Sequence, residues 1–223
     1  MSTPVTFFLI PAEGLAGVLT PSRLASLRAA VVREDPEAME DEEVLLALMD
    51  HLSQHGGAAL TRLPEPLGDE VLELLDVLAE DLVHTDKEPR SERLEQATSQ
   101  RPDADDLQAA EAVVRAACPD TLHHLWRHTV WGRVPEQEGA TDDLRRINPN
   151  LGYWTNAEVR QLRDGLREHL DGAPTYQPVR GWARFTSRLR RVTRRGDPAR
   201  ALDAVTQALD KASRQGAGLL FAR

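Results

Sequence analysis

The sequence predicts an α+β fold, mainly helical, with a small sheet formed by N-terminal and C-terminal strands. Three observations carry this. Val5 to Ile10 and Gly218 to Phe221 are short apolar runs of strand length at the two ends. Between them most apolar residues recur at helical spacing. Helix-start signatures punctuate the chain, the clearest being Thr155 with Glu158 three residues later, a capping box in which each side chain satisfies a free N–H of the first turn.

Val5-Thr6-Phe7-Phe8-Leu9-Ile10 is rich in β-formers and closed by Pro11, so it reads as a strand, internal because it is nearly all apolar. Thr20-Pro21 starts a helix with Leu24, Leu27 and Val31 inward. The acidic run from Glu34 to Glu43 leads into a second, carrying Val44, Leu45, Leu48, Met49 and Leu52 and ended by Gly56-Gly57. After the connector Leu63-Pro64-Glu65-Pro66, Asp69 to Val83 is apolar over more than half its circumference and is expected at the centre of a core.

Residues 85–106 turn polar and are the candidate for a mobile loop or a subdomain hinge within one domain spanning 1–223. Helical spacing resumes at Leu107, breaks at Pro119 and returns through Leu122, Leu125, Trp126 and Val130. Gly132 to Asn150 reads as loop. Tyr153 and Trp154 precede the capped helix as rings that staple the entering chain, and Val159, Leu162, Leu166 and Leu170 line its inner face. Asp197-Pro198 caps the last helix, which ends at Gly216 before Gly218-Leu219-Leu220-Phe221, a strand expected beside the first. No repeat and no low-complexity tract is present.

Composition narrows the function classes. The 223 residues are 41% hydrophobic and 28% charged, as in ordinary globular proteins. A lone cysteine, Cys118, requires no oxidising compartment, and the Val5–Ile10 run is too short for a signal peptide or a membrane span, so the expected location is cytoplasmic. The net charge of −9 hides an asymmetry: residues 1–112 hold 24 acidic and 8 basic residues, and the remainder 12 and 19. Either the halves screen one another, or the basic half is kept for an acidic partner.

The strongest surface feature is Arg180 to Arg195. On a helix, Trp182, Phe185, Leu189 and Val192 form an apolar stripe, and Arg184, Arg188, Arg191 and Arg195 a basic one, centred roughly 100° to 110° apart. Guanidinium forks bind carboxylates and phosphates in pairs of hydrogen bonds, so these four arginines are the partner-binding candidates. The competing reading is that they pair with the protein's own acidic half. Nucleic acid is disfavoured by the overall negative charge and by an aromatic content of 4%, which leaves few stacking platforms.

Catalytic signatures do not appear. The chain has no Gly-x-Ser-x-Gly, no phosphate-binding Gly-rich loop and no His-Glu-x-x-His. His51 with His55, and His124 with His128, have the i, i+4 spacing that puts two imidazoles on one helix face. Without an internal glutamate or a Cys-x-x-Cys, they read as partly exposed helix histidines, and Cys118 before Pro119 reads as a small core residue. No catalytic residue, cofactor or metal ligand is therefore assigned.

An N-terminal apolar strand followed by Leu19-Thr20-Pro21-Ser22-Arg23-Leu24, the element Gly152 to Val159, and a last helix delivering Gly218-Leu219-Leu220-Phe221 together resemble the YfbM-like family of uncharacterised bacterial proteins. The resemblance covers the chain ends and the Gly152–Val159 element. It implies an α+β fold and brings no activity, substrate or catalytic residue with it.

The expectation is a non-enzymatic intracellular protein-binding module of the immunity, antitoxin or regulatory kind, meeting a protein partner with an acidic surface. One alternative is an enzyme with an unrecognised site, metal-assisted through His124 and His128. The other is a nucleic-acid or anionic-membrane binder working through the arginine helix. Nothing in the pattern specifies an oligomeric state.

Overall fold

The computed structural model describes residues 3–34, 42–83, 93–135, 148–171 and 196–223. A three-stranded antiparallel sheet lies between two helical layers. Its strands are β1 (Thr6–Ile10), β2 (Leu151–Trp154) and β3 (Gly218–Ala222), in the order β1-β3-β2. Phe8 faces Leu220 across one ladder and Tyr153 faces the same residue across the other, so the last strand is the central one.

Every residue of the three strands is buried. Because side chains alternate between faces, a sheet buried throughout needs cover on both sides. Phe8, Ile10, Leu220 and Tyr153 pack under α1 (Pro21–Glu34), α2 (Glu43–His55) and α3 (Val71–Val83). Phe7, Leu9, Leu219, Phe221 and Trp154 pack under α4 (Ala104–Ala117), α5 (Asp120–Trp131), α6 (Asn156–Leu166) and α7 (Pro198–Gln215). The buried indoles are satisfied: Trp126 donates to the Leu107 carbonyl and Trp154 to that of Leu125.

The helices begin and end where the local chemistry requires. The Arg23 N–H donates to the Thr20 hydroxyl, the Thr155–Glu158 box forms, the Ala199 N–H donates to the Asp197 carboxylate, and Gly216 closes α7 at φ 65°. α6 does not stop at Leu166 but widens into a π turn over Arg167–Asp171, keeping Leu170 buried.

Three sequence expectations are corrected. β1 is not internal in the sheet: β3 takes one edge, and the other is covered by residues 93–103, with Phe8 bridging Gln96 and Pro4 bridging Asp103. The polar stretch thus includes chain hydrogen-bonded to a strand. The Leu9 N–H donates to Glu95, the Ala97 N–H to Phe7 and the Val5 N–H to Pro102, and Ala97 and Thr98 are buried. α4 begins at Ala104, inside the segment 85–106 read as a loop, while residues 84–92 lie outside the described ones. Finally, Leu151–Trp154 is a third strand and not merely an entry staple.

Candidate functional site

Among the described residues a connected polar constellation sits where α5 runs out, β2 begins and α6 starts. Gly132, at φ 70°, turns the chain off α5, and its main chain lies so close to Asn148 that a Cβ would fall 1.5 Å from the Asn148 carbonyl oxygen. Arg133 then runs beside β2, its N–H donating to the Leu151 carbonyl at 3.1 Å. Its guanidinium lies 4.7 Å from the centre of the Tyr153 ring and donates to both Glu158 oxygens, at 2.7 and 2.8 Å.

Glu158 also accepts from the Thr155 N–H at 2.8 Å and from its hydroxyl at 2.9 Å. Burial works to raise its carboxyl, but the Thr155 N–H and the Arg133 guanidinium outweigh it and hold the group below the usual carboxylate range. It stays ionised at neutral pH with both oxygens occupied. That is the work of a clasp, which ties the exit of α5 to the start of α6.

His128 stands beside the clasp. Its ring packs edge-on against His124, with centroids 5.3 Å apart. Burial, with the Arg133 and His124 side chains nearby, pushes its imidazole down to about 4, so at neutral pH the ring is uncharged. On the α4 side of the same helix, His123 Nε2 lies 3.0 Å from Glu111 Oε1, and Arg127 lies 3.9 Å from that oxygen.

His51 and His55 have ring centres 4.5 Å apart on α2. Among the described residues no group of three or more His, Cys, Asp or Glu side chains is placed to hold a metal ion. Burial pushes the Cys118 thiol up to about 11, away from the thiolate that a nucleophile needs. Among the described residues no helix is long and apolar enough to cross a membrane. Arg184, Arg188, Arg191 and Arg195 lie outside the described residues, as does the whole of 172–195.

Charge is distributed between the two layers. Residues 43–83, the stretch from α2 to α3, hold nine acidic residues and one basic. Glu73, Asp76 and Glu80 form an exposed stripe on α3. None of the three has an ion-pair partner among the described residues, although Asp76 accepts from the Asn150 amide. The other layer is mixed and matched at short range: Arg167 pairs with Asp210, Lys211 with Glu95, and Arg200 with Asp103 and Asp106. Asp106 is buried at the start of α4, where it accepts from the main-chain N–H groups of Asp103 and Asp197.

The α5–α6 clasp was not legible in the sequence. Arg133 lies 25 positions before Glu158, with no periodic link between them. Only half of it, the Thr155–Glu158 box, left a local signature. Comparison with family models, with curated proteins and with solved structures finds no match for this chain.

Proposed function

We propose that the protein is a non-enzymatic, cytoplasmic protein-binding module of the immunity, antitoxin or regulatory kind, whose Arg184, Arg188, Arg191 and Arg195 engage a partner with an acidic surface. The observation that supports it is the outward stripe of Glu73, Asp76 and Glu80, without ionic partners among the described residues. In the opposite layer Arg167, Arg200 and Lys211 have carboxylates within reach. Segregated charge that is left at the surface is available for steering and docking. The likeness to the YfbM-like family belongs to this proposal as well: it speaks for shared architecture and adds no activity.

The test is affinity capture from host extract at low and high salt with wild type, Arg188→Glu/Arg191→Glu and Glu73→Lys/Glu80→Lys. The expected result is one stoichiometric protein partner, released by salt and lost with the arginine reversal. Loss with the α3 reversal alone would move the docking surface to the acidic layer. Turnover of a metabolite without any captured protein would overturn the reading.

A further inference from the structure

We propose that His51 and His55, one turn apart at the end of α2, form a surface chelate for a divalent transition-metal ion of the zinc, nickel or copper class, with water in the remaining positions. Histidines four apart on a helix project from the same face. Here the rings already lie together, with centres 4.5 Å apart and planes tilted by 44°. A metal–nitrogen distance of about 2.0–2.1 Å places an ion about 3.2 Å from each ring centre. Two imidazoles meeting at that ion at about 90–110° therefore have centres about 4.5–5.2 Å apart. The observed separation falls at the short end of that range, so closing the chelate needs ring rotation and no movement of the helix.

The surroundings favour a cation. His51 is half-buried and His55 exposed, and among the described residues neither ring has a hydrogen-bond or ion-pair partner. Because α2 ends at His55, the pair sits at the negative end of the helix dipole. The chain around it is acidic, with nine acidic residues against one basic over 43–83. Arg28 of the neighbouring α1 is compensated by Asp50, 3.3 Å away.

The second pair four residues apart lacks these conditions. His124 and His128 have ring centres 5.3 Å apart, just outside the chelate range. The end of α5 that carries them already receives a cation, since the Arg223 guanidinium donates to the Thr129 and Val130 carbonyls at 2.7 Å. The adjacent His123 ring is engaged with Glu111.

The donor set decides which ions enter. Neutral imidazole suits zinc, nickel and copper, whereas magnesium and calcium require oxygen ligands. Among the described residues no third His, Cys, Asp or Glu joins the pair, so the site is exchangeable and keeps open positions towards solvent, unlike a closed structural zinc site.

Calorimetric titration of the untagged chain with Zn²⁺ at neutral pH tests the site in the wild type, His51→Gln, His55→Gln and His124→Gln/His128→Gln. The expected result is saturable binding in the wild type and in the α5 double variant, and an affinity lower by about 10-fold or more in each α2 variant. Wild-type binding no tighter than about 1 mM, or an affinity unchanged in either α2 variant, overturns the proposal. Substoichiometric Cu²⁺ then locates the ion by paramagnetic broadening of amide signals. Broadening centred on Ala47 to Gly56 supports the chelate, and broadening that spares this stretch overturns it.

Discussion

Glu158 does two jobs with one carboxylate, and its substitutions separate them. One oxygen closes the Thr155 capping box and both receive the Arg133 guanidinium. Glu158→Gln keeps a side chain able to reach the cap N–H but weakens the Arg133 pair by removing the carboxylate's charge, which costs about 1 kcal/mol. Glu158→Ala removes the Glu158 half of the capping box and leaves a partly buried guanidinium unpaired, a cost of about 2–3 kcal/mol after allowing for the exposure of the pair. Urea denaturation at pH 7 measures both. Equal losses for the two variants would show that the ion pair, and not the capping box, is what the carboxylate contributes.

At the scale of elements, turn geometry gives a second comparison. Gly132 and Gly216 both have positive φ, at 70° and 65°, and both end helices. A Cβ on Gly216 meets nothing within 4 Å, whereas one on Gly132 runs into the Asn148 and Leu151 carbonyls. Gly216→Ala should cost about 1 kcal/mol, the left-handed backbone penalty alone. Gly132→Ala adds a clash with main chain that cannot swing away and should cost about 3 kcal/mol or more, seen as a larger fall in urea midpoint. The same contrast explains what the sequence discloses. Thr20-Pro21, Thr155 with Glu158, Asp197-Pro198 and Gly216 are legible because the groups they satisfy lie within four residues. β2 is not, since Leu-Gly-Tyr-Trp has only four residues and no polar alternation, and its partner lies on β3 at the far end of the chain. Residues 93–103 look like loop because their side chains are polar, yet their main chain is bonded to β1. The clasp is hidden for the same reason, its halves being joined only by the packing of α5 against β2 and α6.

For the whole molecule, the decisive feature is that the middle of the sheet comes from the last strand. β1 and β2 do not pair with each other; within the sheet each pairs with β3, whose Leu219 and Leu220 are fully buried and whose Phe221 is nearly so. Leu219 and Phe221 serve the core under α4–α7, and Leu220 and Ala222 the core under α1–α3, so one short strand joins both layers. Removing residues 218–223 therefore does not trim an end. It takes out three large side chains worth roughly 5–9 kcal/mol of burial together, along with both ladders, against a total stability typically of about 5–15 kcal/mol. A variant ending at Ala217 is expected to lose near-UV circular dichroism and amide dispersion, with both layers affected because neither retains a closed sheet to pack on. Leu220→Ala in the intact chain should cost about 2–5 kcal/mol and leave the fold in place. If the shortened chain kept dispersed signals from α4–α7 alone, the two layers would be separable folding units, and the central strand would be a late addition to structures that already stand without it.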